Sequence, residues 1–219
     1  MLMLPQRQQI VEYGRKMVQS GLTTGSGGNL SILSTPDNLI AISPSGIDYN
    51  DVTVADVVVV DRSGKVVDGE RKPSSELGFH LALYAARPEV EAVVHTHSVY
   101  ATTLACLHWE LPAVHYLVAF SGDKVPLAPY ATFGSPELAD NIIESIGSYN
   151  AVLLANHGLV AVAADMKNCF NVAEEIELVS RIYYQTKTVG QPVLVEGEEM
   201  QRVVEKFSHY ANKMKIQER

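Results

Sequence analysis

Cysteine is scarce in this 219-residue chain: only Cys106 and Cys169 are present. Their separation fits no short metal-binding pattern, so a disulfide framework is not expected and reduced thiols are the simpler reading. Long apolar runs are absent too. Stretches such as Val57–Val60 and Ala151–Ala155 are far shorter than the roughly 20 residues that cross a bilayer. The first fifteen residues mix leucine with glutamine and charge, so no signal peptide is expected. Positive charge is in deficit: 17 Lys and Arg stand against 25 Asp and Glu, a net charge of −8 with no basic block. That argues against a nucleic-acid partner. There is no repeat, linker or low-complexity segment. The expectation is one soluble cytoplasmic domain over residues 1–219, with no membrane association.

Histidine pairing is what the sequence does offer. Val93-Val94-His95-Thr96-His97-Ser98 begins as a buried strand, and residues two apart on a strand face the same way. His95 and His97 are therefore half of a divalent-metal site. His157 follows the apolar run Ala151–Ala155 and precedes Gly158, where the backbone can approach closely. Zinc takes neutral imidazoles, and its catalytic sites hold about three protein ligands and one open position. Glu76 is the candidate fourth ligand, placed in the first turn of a helix that opens with Pro73-Ser74-Ser75. Each piece also has an ordinary structural reading: a surface histidine pair, a turn, a helix-start acid. His80, His108, His115 and His209 show no partner pattern.

The surrounding elements alternate short strands with helices. Helices are expected over 5–20, 73–87, 100–107, 136–146, from 165 onward and over 198–216. Strands are expected at Leu30–Ile32, Leu39–Ile42, Val57–Val60, Lys65–Val67, Val93–His95, Ala113–Ala119, Val125–Ala128, Ala151–Ala155 and Leu159–Ala163. Short hairpins interrupted by helices point to one α/β domain with a largely antiparallel sheet covered by helices. Three loops, Gly27-Gly28-Asn29, Ser45-Gly46 and Ser74-Ser75, offer N–H groups, hydroxyls and an amide without bulk. Such groups cradle a phosphate, and Ser74-Ser75 also opens a helix; turn formation and capping account for each loop taken alone. No Gly-Lys-Ser/Thr follows and no dinucleotide fingerprint is present, so a small sugar phosphate is expected rather than a nucleotide.

Seven segments in order resemble the class II aldolase/adducin-head family over nearly the whole chain. They are Gly25–Ser31, Ser43–Gly46, Lys72–Glu76, Val94–Ser98, Pro112–Tyr116, Ala128–Gly134 and Leu154–Leu159. The tail Glu205–Tyr210 is similar as well. The resemblance implies a central, mainly antiparallel β-sheet flanked by helices on both faces. It implies a Zn²⁺ site of Glu76, His95, His97 and His157, with Mn²⁺ or Co²⁺ as alternative ions. It places a sugar phosphate's phosphate on Gly28, Asn29, Ser45, Gly46, Ser74 and Ser75. It also implies a C4 homotetramer with active sites at subunit interfaces, where Tyr116 reaches into the neighbouring site.

The implied reaction is reversible cleavage of a ketose 1-phosphate to dihydroxyacetone phosphate and a small aldehyde. A divalent metal stabilises the charge left on the ketose-derived half. By analogy with the family, Glu76 is the base in the synthetic direction and Tyr116 the acid at the aldehyde oxygen. The resemblance also implies that Phe133 and Tyr210 line the aldehyde pocket, with turn packing and helix packing as the ordinary readings of the two. An L-fuculose 1-phosphate-like substrate giving L-lactaldehyde comes first, and 5-deoxyribulose 1-phosphate giving acetaldehyde is the alternative. Related ribulose-phosphate 4-epimerases carry Asp where Glu76 stands. A methylthioribulose-1-phosphate dehydratase and a metal-free adducin-like structural module complete the competing readings.

Overall fold

The computed structural model describes the backbone of residues 1–217 and the side chains of residues 1–207. A first helix, α1 (Leu4–Gln19), ends at Ser20 and Gly21, the latter at φ 71°. A hairpin follows, β1 (Asn29–Ser34) and β2 (Leu39–Ile42), turned through Asn38 at φ 55°. Asparagine tolerates that left-handed conformation better than most residues. A second hairpin, β3 (Val58–Asp61) and β4 (Val66–Asp68), precedes helix α2 (Leu77–Ala86). Then come β5 (Ala92–Thr96), α3 (Val99–Cys106), a 3₁₀ turn at Tyr116–Phe120, and β6 (Leu127–Ala128). The chain continues with α4 (Pro136–Ile146), β7 (Ala151–Leu154), β8 (Gly158–Ala163), α5 (Met166–Val189) and α6 (Gly197–Gln217).

The eight strands form one open sheet in the order β4-β3-β2-β1-β5-β8-β7-β6. Every neighbouring pair is antiparallel except β6 with β7. Period-two alternation gives each strand two working faces. On β1, Leu30 and Ile32 pack with α1, α3 and α5, while Leu33 packs with α2 and α4. On β5, Val94 joins the first core and Val93 the second. His95 lies on the Val93 side, facing α2, where its ring meets Phe79 edge-on at 5.6 Å. The expected α/β domain, with a mainly antiparallel sheet covered on both faces, is what the chain forms. Asp165 caps α5 by accepting a hydrogen bond from the Asn168 N–H, as its position predicts.

Three local expectations are corrected. Ala113–Ala119 is not a strand: its second half coils into the 3₁₀ turn, where the His115 ring accepts from the Leu117 N–H and Val118 is buried. A short apolar run cannot by itself separate a strand from a helical turn, and here the cap decides. Val125–Ala128 shortens to the two residues of β6, with Val125 only bridging Leu111. Glu76 does not sit in the first turn of α2. It is the N-cap residue, and its side chain makes no capping hydrogen bond.

Candidate active site

The centre of the sheet opens into a cleft of about 380 Å³ at the ends of β1 and β5. β1 and β5 pair with Asn29 opposite His95, and β5 and β8 pair with His95 opposite Val160. His97 stands just beyond the end of β5, and His157 in the turn between β7 and β8. Two close backbone approaches bring them together. A Cβ on Gly158 would lie 2.3 Å from the Thr96 carbonyl oxygen. Gly28, at φ 68°, sits so tightly over β5 that a Cβ there would lie 2.4 Å from the His95 carbonyl oxygen. Only glycine permits either contact.

The result is a cluster in which one nitrogen each from His95, His97 and His157 lies within 4.8 Å of the others. The His95 Nδ1–H donates to the Leu159 carbonyl at 3.0 Å, which leaves Nε2 facing the cluster. Glu76 completes the floor. Its Oε2 is 3.3 Å from His95 Nε2 and its Oε1 3.5 Å from His157 Nε2. Oε1 is buried and has no hydrogen-bond partner. A carboxylate oxygen left in that state is costly unless something else satisfies it.

Electrostatics favour neutral imidazoles. Burial pushes His95 well below its ordinary value, and repulsion from His157 and His97 adds to it. Burial likewise lowers His97. It lowers His157 too, with Glu76 pulling the other way. Burial raises the Glu76 carboxyl, opposed by His157 and by the hydrogen bond from Asn29. Neutral imidazoles are the form that ligates a metal, and a divalent cation supplies the positive charge this carboxylate lacks. The donor set and the orphaned oxygen fit such an ion.

The cleft wall above the histidines contains Gly28, Asn29, Ser45, Gly46, Ser74 and Ser75, the residues expected to hold phosphate. Among the described residues no lysine or arginine lines it, and the groups it offers an anion there are backbone N–H groups, hydroxyls and an amide. The loops at 43–46 and 72–75 are joined by the Ser45 N–H donating to the Lys72 carbonyl and the Ser74 N–H donating to the Ser43 carbonyl. Phe133 and Tyr130 form the exposed rim. Tyr116 does not line its own chain's cleft. It is half exposed on the 3₁₀ turn, with its ring centroid 6.4 Å from that of Phe207. The side chain of Tyr210 lies outside the described residues.

Two contributors escaped the sequence reading. Buried Tyr49 ties two loops together, its hydroxyl 3.1 Å from the Gly28 carbonyl and 3.2 Å from Ser43 Oγ. Gly134, at φ 73°, lets the Phe133 loop settle on the Ser75 carbonyl, where a Cβ would come within 2.7 Å. The positive-φ glycine after an aromatic was a readable signal; Tyr49 carried none.

Fold and site together define an α/β enzyme type with a histidine–carboxylate centre at the base of a cleft lined by glycine, serine and asparagine. Residues 8–184 match the family described as Class II Aldolase and Adducin N-terminal domain, and the chain belongs to that family. It is 53% identical to the 5-deoxy-D-ribulose 1-phosphate aldolase of Bacillus thuringiensis serovar kurstaki, over 96% of this chain and 99% of that one. It is 42% identical to a 5-methylthioribulose-1-phosphate/5-deoxyribulose-1-phosphate aldolase of Escherichia coli O45:K1, over 94% and 96%. A solved L-fuculose 1-phosphate aldolase superposes with a TM-score of 0.92 at 46% identity, covering 93% of this chain and 96% of the other. The chain is a class II aldolase, an aldehyde-lyase.

Proposed function

We propose that this aldolase reversibly cleaves a ketose 1-phosphate to dihydroxyacetone phosphate and a short aldehyde, with 5-deoxyribulose 1-phosphate and acetaldehyde as the leading pair. The observation that carries the reading is Glu76, a buried carboxylate with one unpartnered oxygen, set against two members of a three-imidazole cluster under a wall of hydrogen-bond donors. The sequence resemblance alone puts L-lactaldehyde first. The 53% identity to a 5-deoxy-D-ribulose 1-phosphate aldolase moves acetaldehyde ahead, and the 46% identity to a solved L-fuculose 1-phosphate aldolase keeps L-lactaldehyde second.

In this reading His95, His97, His157 and Glu76 hold Zn²⁺, with Mn²⁺ or Co²⁺ as substitutes. When bound, the ion supplies Lewis acidity where negative charge develops on the substrate's oxygens. Gly28, Ser45, Gly46, Ser74 and Ser75 orient the phosphate through N–H and O–H groups, and Asn29 borders them. Glu76 takes the proton from the hydroxymethyl carbon in the synthetic direction, a role suited to a carboxyl whose proton affinity burial has raised. Phe133 shields the aldehyde end with an apolar face, and Tyr210 is assigned to the same pocket. Tyr116, exposed on its own chain, protonates the aldehyde oxygen in the neighbouring subunit of a C4 homotetramer. The setting is cytoplasmic. Among the described residues no helix is long and apolar enough to cross a membrane.

The test is kcat/KM for 5-deoxyribulose 1-phosphate and L-fuculose 1-phosphate with Zn²⁺ present, following dihydroxyacetone phosphate. The reading expects the deoxypentulose phosphate to be cleaved more efficiently. Preference for the fuculose ester reverses the order of aldehydes. A diketone with no fragment released assigns a dehydratase, and an epimeric ketose phosphate with no net cleavage an epimerase.

A further inference from the structure

Behind Glu76 a line of buried side chains runs away from the cleft. It is built where two periodicities meet: Asn29 and Ser31 stand two apart on β1, and Glu76, His80 and Tyr84 four apart across the N-cap and body of α2. Asn29 Nδ2 donates to Glu76 Oε2 at 2.8 Å. His80 Nε2 lies at hydrogen-bond distance from Asn29 Oδ1. Ser31 Oγ is 2.6 Å from His80 Nδ1 and 2.7 Å from the Tyr84 hydroxyl. All four of these supporting residues are buried.

Only one assignment of protons suits this line. A carboxylate accepts, so Asn29 must turn its NH₂ to Glu76 and its carbonyl oxygen to His80; the flipped amide sets oxygen against oxygen. The Asn29 carbonyl needs a donor, which fixes the His80 proton on Nε2. Nδ1 then accepts from the Ser31 hydroxyl, and Ser31 accepts from Tyr84. Complete burial holds His80 down to about 3, so the ring stays neutral and keeps one tautomer. Both polar ends of the Asn29 side chain are engaged inside the protein, which shifts its part in the site from gripping phosphate toward holding the carboxylate.

We infer that His80, backed by Ser31 and Tyr84, is a positioning residue: it locks the Asn29 amide so that the Glu76 carboxylate is held toward His95 and His157. It touches neither substrate nor ion and acts only through Asn29 and Glu76. The inference rests on the aldolase reading for its meaning in catalysis, but the carboxylate's placement can be read from ion binding alone.

The experiment measures Zn²⁺ affinity of the full chain by competition with a chromophoric chelator, in His80→Phe, His80→Gln, Glu76→Gln and the Glu76→Gln/His80→Phe double variant. Phenylalanine keeps the ring stacked on Phe79 and removes both nitrogens; glutamine returns a donor and an acceptor. His80→Phe is expected to weaken Zn²⁺ binding ~10–100-fold, the usual cost of losing a partner that orients a ligand. His80→Gln should recover most of that loss. In the Glu76→Gln background the same His80→Phe change should weaken binding by less than about twofold, since the coupling runs through the missing carboxylate. Unchanged affinity in His80→Phe overturns the inference, and so does an equal loss in both backgrounds, which marks general packing. If His80→Phe does not fold, Ser31→Ala and Tyr84→Phe decide: a smaller loss in the same direction supports the line, and none overturns it. Turnover of the leading substrate separates the two claims. If no ketose 1-phosphate is cleaved, the aldolase reading falls while the zinc titration still decides the role of His80.

Discussion

At the residue scale, Glu76 shows how a site can look ordinary in sequence and unusual in three dimensions. An acid after Pro-Ser-Ser reads as a helix-start charge, yet its side chain caps nothing and turns to the histidines. The three imidazoles were legible because strand alternation and the His-Gly turn place them. Asn29 was legible as a loop amide, but its two partners were not, since His80 becomes informative only when α2 is laid against β1. The assigned role of Glu76 predicts that Glu76→Gln lowers kcat about 10²–10⁴-fold, the range for removing a general base; turnover at the parent rate removes it from that role. The histidines also predict a pH dependence of stability for chelator-treated protein. Burial depresses the folded values of His95, His97 and His157, and that of His80 to about 3, so below about 6.5 the unfolded chain binds protons the folded one refuses. Stability is therefore full above about 6.5 and falls as pH drops, with His80 contributing up to about 1.4 kcal/mol per pH unit and the cluster histidines adding in the same direction. Glu76, with its value raised, works oppositely, losing stability as pH rises above its ordinary range. The imidazoles outnumber it, so urea midpoints measured at pH 7 and pH 5 should fall toward acid; a flat profile contradicts the burial of neutral rings.

At the scale of elements, the hairpins and most helices announced themselves through turn residues, caps and periodicity. The helix expected from Pro136 and the one expected from Asp165 begin where the sequence places them, the first at Pro136 and the second with Asp165 as its N-cap. The connection from Pro112 to Ala128 did not read true, because its apolar run belongs to no sustained period and its shape comes from packing on α5 and from the His115 cap. The turn from β7 to β8 carries the sharpest prediction. In Gly158→Ala the added Cβ meets the Thr96 carbonyl, backbone against backbone, so β8 must move away from β5 and carry His157 from His95 and His97. A displacement of about 1 Å costs ~10²-fold in a catalytic constellation. Metal content and kcat should therefore fall together, at a stability cost of about 1–3 kcal/mol. A variant with parental metal content and rate contradicts the close approach.

At the scale of the whole molecule, the sheet gathers residues from both halves of the chain at one set of strand ends, and a single chain leaves Tyr116 outside its own cleft. The proposed tetramer resolves this by lending Tyr116 to a neighbour. Tyr116→Phe should then lower kcat by ~10²-fold or more, as expected for loss of a general acid, with no change in oligomeric state by light scattering. A dilution-stable monomer with full activity contradicts the shared site. The central claim is that the three histidines and Glu76 hold an ion that the cleavage requires. It is tested most directly by stripping the enzyme with a chelator, supplying 5-deoxyribulose 1-phosphate, and following dihydroxyacetone phosphate before and after Zn²⁺ is returned. The stripped enzyme should form no product and should recover when the ion is added, a recovery absent in His95→Ala; product formed at the parent rate by stripped enzyme, or none after Zn²⁺ is restored, shows that the cleavage does not depend on an ion held there.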